Sequence, residues 1–320
     1  MQEEIYEKLR NDPRIYLSSF CKIKDKKGSL VPFVVNELQN DLYKQIDENK
    51  RIMICKARQM GCSVGMAGYL YHKTITGQGI NTVIISYKKE EASALLEIIK
   101  LLWESTPEKF RPEVKYNTRY EMSFPRLHSK ITVLPSKVTS GRGRTINNLL
   151  ITELAFWDSA EKVFAGLSQC VPNDGRIIIE TTPNGIGNLY YRMWVDPDNG
   201  FKKLKYSWDW TYTAEEMEQR RKELGERMWQ QEYGLEFLTS GRSVFDAEIV
   251  NGHRKNVLNS GYLVVDKMKI YKPPVPGHKY VLSCDPSGGI TGGDYTSIIV
   301  MDRNDSEEVV FSRSLSSPEN

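Results

Sequence analysis

Short apolar runs rich in β-branched residues alternate along this chain with longer stretches whose apolar positions recur at helical spacing. The runs are Ile52 to Lys56, Thr82 to Ser86, Lys130 to Leu134, Leu149 to Thr152 and Arg176 to Thr181. Several are apolar throughout rather than alternating, as strands covered on both faces are. Between two of them Ala92, Leu95, Leu96, Ile99, Leu102 and Trp103 fall at i, i+3, i+4, i+7, i+10 and i+11, which is one face of a helix. This alternation predicts an α/β fold built on a central, mostly parallel β-sheet flanked by helices.

From about Tyr212 to Phe237 the pattern turns helical and charged, with Arg220, Arg221 and Lys222 among Glu215, Glu216, Glu218 and Glu223. A solvated helix held by i,i+4 ion pairs is the simplest reading. Beyond Phe245 come turn-rich segments and Pro273-Pro274-Val275-Pro276, a stiff connector of the kind found between domains. Tyr280 to Cys284, a glycine-rich turn and Ser297 to Asp302 then make a hairpin pattern, followed by a polar tail. The expected organisation is an N-terminal segment over 1–30, the α/β domain over 31–240, a linker over 241–278 and the opening of a second domain over 279–320.

Composition narrows the class. A chain of 320 residues with 40% hydrophobic and 27% charged residues has the balance of a folded globular protein and the length for two domains. The 44 basic and 41 acidic residues leave a net charge of +3, so any surface for nucleic acid has to be local. Apolar runs such as Ile52 to Cys55 are far below the ~18 residues that cross a bilayer, and the N-terminus has no signal-peptide core. Five cysteines with no C-x-x-C pair suit neither a disulfide framework nor a zinc site. A cytoplasmic protein with free thiols and no membrane partner is expected.

The candidate chemistry begins at Lys56-Ala57-Arg58-Gln59-Met60-Gly61-Cys62-Ser63, between an apolar strand and a helix carrying Val64, Ala67, Tyr71 and Ile75. Strand, glycine-containing loop and helix N-terminus point backbone N–H groups at a phosphate. Against G-x-x-x-x-G-K-[ST], Gly61 and Ser63 match, while Lys56 replaces the first glycine and Cys62 the lysine. An ordinary strand-to-helix turn accounts for the match about as well. Lys56 and Arg58 can supply the positive charge that phosphoryl transfer needs, and the Ser63 hydroxyl is placed either to ligate Mg²⁺ or to cap the helix.

Three further elements follow in order. Asn148 to Glu153 is an apolar strand ending in a carboxylate, expected next to the phosphate loop's strand, where Glu153 would orient attacking water. Thr152 stands where an Asp is more usual, so metal contact there would be weaker or water-mediated. Ser140-Gly141-Arg142-Gly143-Arg144-Thr145 is a basic loop whose arginines are either solvated charges or an arginine finger, worth ~10³ to 10⁵ in rate. Thr181-Thr182-Pro183-Asn184-Gly185 closes another apolar strand, with polar groups that would face a γ-phosphate.

Together these elements resemble the large terminase subunits of tailed bacteriophages, P-loop ATPases that drive double-stranded DNA into a procapsid. Lys56 to Ser63 is similar to that family's deviant Walker A motif, Leu149 to Glu153 to its Walker B with catalytic Glu, and Thr181 to Gly185 to its coupling motif. Pro32-Phe33-Val34-Val35-Asn36-Glu37-Leu38-Gln39 resembles its adenine-recognising segment. The resemblance implies that ATP and Mg²⁺ are the cofactors and that Gln39 reads the base. Lys56, Arg58, Gln59, Gly61, Cys62 and Ser63 would line the phosphates with Thr181 and Thr182, and Arg142 would be a finger inserted into a neighbour's site in a ring. It implies as partners double-stranded DNA, the portal protein, the small terminase subunit and further copies of the chain, in the cytoplasm of an infected cell.

Tyr280 to Gly289 resembles the opening strand of the family's RNase H-like nuclease. Asp285 matches its first metal-binding acid and Asp294 a secondary one, for Mg²⁺ or Mn²⁺. A calcium loop counted from Asp285 fails, because its twelfth position is Thr296 rather than Glu. The chain stops soon afterwards, so the nuclease domain is expected to be incomplete. Two carboxylates are too few for paired metals and a lone hairpin is marginally stable, so DNA cleavage is expected of the complete protein and not of this chain. A helicase-like DNA translocase is the alternative, but it usually carries a standard Gly-Lys-Thr/Ser loop. A nuclease-only or capsid-assembly protein leaves the phosphate loop and Glu153 without a purpose.

Overall fold

The computed structural model describes residues 2–25, 27–136, 143, 145–238, 263–265, 268–286, 296–304 and 307–314. They fall into two compact units, Met1–Ser240 and Gly241–Asn320. The first opens with helices α1 (Gln2–Asn11) and α2 (Pro13–Phe20), a hairpin of β1 (Lys22–Lys24) and β2 (Leu30–Pro32), and α3 (Glu37–Glu48). Then follow β3 (Arg51–Lys56), α4 (Cys62–Thr76), β4 (Asn81–Ser86), α5 (Lys89–Ser105), β5 (Tyr116–Asn117), β6 (Glu121–Phe124) and β7 (Ser129–Pro135). The unit continues with β8 (Asn148–Thr152), α6 (Ala160–Ser168), β9 (Arg176–Thr181), α7 (Leu189–Val195), β10 (Lys202–Tyr206), α8 (Ala214–Leu224) and α9 (Glu226–Glu232).

One eight-stranded sheet runs in the order β10-β3-β9-β8-β4-β7-β6-β5. The six strands from β10 to β7 are parallel, and β6 and β5 extend the sheet antiparallel. The five strands expected from the apolar runs are all present, each within a residue of its expected bounds. Four of them, β3, β4, β8 and β9, are buried along nearly their whole length, as a sheet covered by helices on both faces requires. In α5 the face read from the sequence is the buried one, with Ala92, Leu95, Leu96, Ile99 and Leu102 in the core and Trp103 packed on it.

One expectation about the sheet is corrected. The strand ending in Glu153 is not the neighbour of the phosphate-loop strand, because β9 lies between them. Parallel strands joined by helical crossovers need not be ordered in space as in sequence, so neighbour order could not be read from the runs alone. Strand β10, for which the sequence raised no expectation, carries Lys202, Lys203 and Lys205, with only Leu204 and Tyr206 buried, the pattern of a half-covered edge strand. The charged stretch after Tyr212 does form helices, α8 and α9, and of α8 only Met217 is buried.

The second unit holds an antiparallel sheet ordered β11 (Leu263–Val265), β12 (Met268–Ile270), β15 (Glu307–Ser314), β14 (Thr296–Asp302) and β13 (Tyr280–Asp285). The expected hairpin is β13 with β14, in register from Tyr280 opposite Asp302 to Asp285 opposite Ser297. It is not alone. β15 pairs with β14, and β11 and β12, three residues each, form within the stretch read as linker and pair onward to β15. Strands that short carry too little alternation to be recognised. No described helix is long and apolar enough to cross a membrane.

Candidate active site

In a parallel sheet the loops following the strands converge on one edge, where ligands bind. Here the loops after β3, β8 and β9 converge. At the start of α4, Gly61 sits at φ +77°, a left-handed conformation that glycine adopts without cost, and it turns the chain from strand into helix. The loop is braced from below by Gln39. Its amide Nε2 donates to the Gly61 carbonyl at 2.9 Å, and its Oε1 accepts from the Asn36 N–H at 3.2 Å, half of a capping box that opens α3. A Cβ at Gly65 would stand 2.8 Å from Gln39 Cγ, so α4 passes this close only because residue 65 has no side chain. Tyr212 adds a second brace, its hydroxyl donating to the Gln59 carbonyl at 2.9 Å.

Lys56 ends β3 with its ammonium almost buried, 3.2 Å from Glu180 Oε2 and 3.8 Å from Glu153 Oε1. Glu180 lies on β9 and is only 2% exposed; its other oxygen accepts from the Ser63 hydroxyl at 3.1 Å. Oε2 faces the Lys56 ammonium and no other donor among the described residues. Glu153 stands at the tip of β8 with φ +55°, an uncommon conformation for a side chain with a Cβ and one that clusters at functional sites. Its N–H donates to the Glu180 carbonyl at 2.7 Å, and its Oε2 accepts from the Thr181 hydroxyl at 3.1 Å.

Electrostatics follow from two carboxylates sharing one ammonium. Burial works against the Lys56 charge, yet Glu180 and Glu153 outweigh it and hold the lysine above its ordinary pKa. Burial, with Glu153 adding to it, raises the Glu180 carboxyl above the usual carboxylate range, against the pull of Lys56 and Ser63. Both directions fit a cluster that is one positive charge short. The two carboxylates border an open cleft of about 440 Å³ lined by Arg58, Ser63, Tyr87, Thr152, Glu153 and Glu180 among others. A cleft of that size belongs to the range that takes small ligands. Hard oxygen donors beside a helix N-terminus suit a phosphate and a small divalent cation.

Among the residues proposed from sequence, Lys56, Ser63, Glu153 and Thr181 come together. Ser63 is not the helix cap; Gly61 holds that position without a side-chain bond. Cys62, in the usual lysine position, is buried and its thiol pKa is driven up by desolvation, so only its backbone N–H can serve a phosphate. Arg58 borders the cleft, but its guanidinium is paired with Glu232 at the end of α9, and that pairing raises its pKa. Thr182 is buried with no hydrogen-bond partner for its hydroxyl. Arg142 and Asp294 lie outside the described residues, and Asp285 stands exposed at the end of β13. Among the described residues no three His, Cys, Asp or Glu side chains are grouped to hold a metal. The residue that sequence reasoning passed over is Glu180, and its signal was a charge directly after the isoleucine run Ile177 to Ile179, within the same apolar strand.

A mostly parallel sheet with a phosphate-loop turn at its carboxyl edge defines a P-loop ATPase fold. Comparison with solved structures gives the particular version: the fold is that of the phage large terminases. The HK97 bacteriophage large terminase matches with a TM-score of 0.61 at 12% identity, over 94% of this chain and 67% of that one. The large terminase of a thermophilic bacteriophage matches at 0.54 and 12% identity, over 84% of this chain. The present chain spans 65% of that thermophilic phage protein's length. The same thermophilic phage protein has been solved with ADP and with ATP-gamma-S. No protein-family model matches the chain.

Proposed function

We propose that this chain is the ATP-hydrolysing subunit of a phage motor that translocates double-stranded DNA into a procapsid. One observation carries the reading: Lys56, Ser63, Glu153 and Thr181 meet at the carboxyl edge of the sheet, beside an open cleft, in a chain with the large terminase fold. The backbone N–H groups at the start of α4 receive the phosphates and Lys56 supplies positive charge, which is most of what phosphoryl transfer asks of a protein. Glu153 accepts the proton of the attacking water, and Thr181, bonded to its Oε2, fixes the carboxylate for that task. Bound Mg²⁺ would neutralise charge on the phosphates, and Ser63 offers it a hydroxyl.

Beyond the single chain, the reading has Arg142 act as a finger in a neighbouring copy's site within a ring on the portal protein, served by a small terminase subunit. On the same reading Gln39 turns to the adenine, which requires its amide to leave the Gly61 carbonyl and the Asn36 N–H that it holds here. With a complete nuclease domain, Asp285 and Asp294 would belong to a nuclease site for Mg²⁺ or Mn²⁺, and the motor works in the cytoplasm of the infected cell. Phosphate release by the purified chain, stimulated more by duplex than by single-stranded DNA, tests this reading. Stimulation by single strands alone would favour a helicase-like translocase, and no hydrolysis under assembling conditions would overturn it. Mixing Arg142→Ala with Glu153→Gln protein tests the finger: recovered activity is expected, and none from subunits that exchange would place the finger in cis.

A further inference from the structure

P-loop NTPases hold Mg²⁺ with the loop's Ser or Thr and an acid at the end of the strand that also presents the catalytic region. In this chain that strand position is Thr152, which is neutral, buried, and has its hydroxyl 3.5 Å from the Ile85 carbonyl on β4. The acid has not disappeared from the site. In the β8–β9 ladder Thr152 lies directly opposite Glu180, and residues in register across a sheet project to the same face. Glu180 reaches the loop's hydroxyl, accepting from Ser63 Oγ at 3.1 Å.

A carboxylate 2% exposed in a strand of isoleucines costs free energy that nothing in the core's packing requires. Glu180 is the nearer counter-ion of Lys56, at 3.2 Å, but Glu153 stands 3.8 Å from the same ammonium, so one positive charge is shared between two carboxylates. With Glu180 the cluster carries two carboxylates for one ammonium, an excess negative charge beside the phosphate loop. Glu180 is among the residues that line the cleft, and beyond the Lys56 ammonium at 3.2 Å its buried Oε2 meets no hydrogen-bond donor among the described residues.

We propose that Glu180, together with Ser63, holds the divalent cation of the bound nucleotide, the carboxylate having moved one strand across the sheet from position 152. The inference rests on the nucleotide-binding reading above and assigns its cation site to this chain's own residues.

The test measures ADP affinity in excess Mg²⁺ and in EDTA, and Mn²⁺ binding to the ADP complex by electron paramagnetic resonance. The parent chain should bind ADP more tightly with Mg²⁺. Glu180→Gln should lose most of that dependence and weaken Mn²⁺ binding by at least the roughly 10-fold to 100-fold that losing an outer-shell partner of a metal ligand costs. The exchanged variant Thr152→Asp with Glu180→Ser keeps the parent's charge and returns the acid to β8, so it should regain cation-dependent binding. It also serves if Glu180→Gln fails to fold. Cation dependence that survives intact in Glu180→Gln, or is absent from a folded exchanged variant, overturns the inference alone. A parent that binds no nucleotide overturns the function proposed above and this inference with it.

Discussion

Strands β9 and β13 are both six residues long and both bring an acid to their carboxyl end, yet they end in different chemistry. β9 is buried from its second residue onward, and Glu180 there meets Lys56 and Ser63. β13 is exposed at every position but its first, and Asp285 faces solvent. An acid costs little in water and several kcal/mol when desolvated, and the latter persists only if charges and hydrogen bonds offset it. The buried acid therefore implies a built site, and the exposed one does not.

The largest effect should come from Glu153, whose side chain is the more exposed of the two carboxylates beside Lys56 and so is spared much of the burial cost. Glu153→Gln should leave the fold and nucleotide binding in place and lower ATP turnover by about 10²-fold or more, as loss of a general base does. Phosphate-release kinetics check it, and unchanged turnover removes Glu153 from the mechanism.

Lys56→Met probes the burial side of the comparison directly. It leaves Glu180 buried without its ammonium, and breaking a buried pair from one side costs ~3–5 kcal/mol. Urea unfolding should show that loss, and Lys56→Met combined with Glu180→Gln should recover much of it. A single variant as stable as the parent would mean the pair is not a desolvated ion pair.

Burial alone does not make a site, and His72 sharpens the point. It is fully buried on α4, with Nε2 2.9 Å from the Leu9 carbonyl and no partner for Nδ1. Desolvation, helped by Lys73, pushes its pKa down from 6.5 to about 4, so it is a neutral core residue where Glu180 is a member of a charged cluster. The unfolded chain binds the proton first as pH falls. Stability tied to neutral His72 is thus whole above about pH 6.5 and is lost toward pH 4, by about 3 kcal/mol in all. His72→Gln should flatten that part of the stability-against-pH curve; an identical slope in the variant would assign the acid sensitivity to other groups.

Much of the ATPase fold was legible because its signals are local. Apolar runs give β3, β4, β7, β8 and β9, and the spacing from Ala92 to Trp103 gives the buried face of α5. Lys56 to Ser63 and Glu153 could be found for the same reason, each lying at the end of a recognisable strand. What could not be read depends on pairing over long distances. Glu180 acquires meaning only when β9 is seen between β3 and β8, with Thr152 opposite it. Arg58 is tied to Glu232, 174 residues away, so its charge reads as free in the sequence and is engaged in the fold. Gln39 donates to the Gly61 carbonyl, 22 residues on, while its Oε1 closes a capping box with Asn36, and the first of these contacts is invisible in the sequence. β11 and β12 are too short to announce themselves against a background of turns and prolines.

The smallest effect should fall on the exposed acid. Paired-metal cleavage of DNA needs a cluster of carboxylates that together offset the charge of two ions, and Asp285 on β13 faces water rather than a desolvated pocket. Its sheet has five strands where the sequence suggested a lone hairpin, so the argument against cleavage no longer draws on a marginal fold. It stands on ligand count and exposure. This 320-residue chain should leave supercoiled plasmid intact in Mn²⁺, and Asp285→Ala should change neither that result nor ATP turnover. Linearisation by the parent that disappears in Asp285→Ala would show that an exposed strand-end acid here does anchor a working site, and the contrast drawn between β9 and β13 would fail.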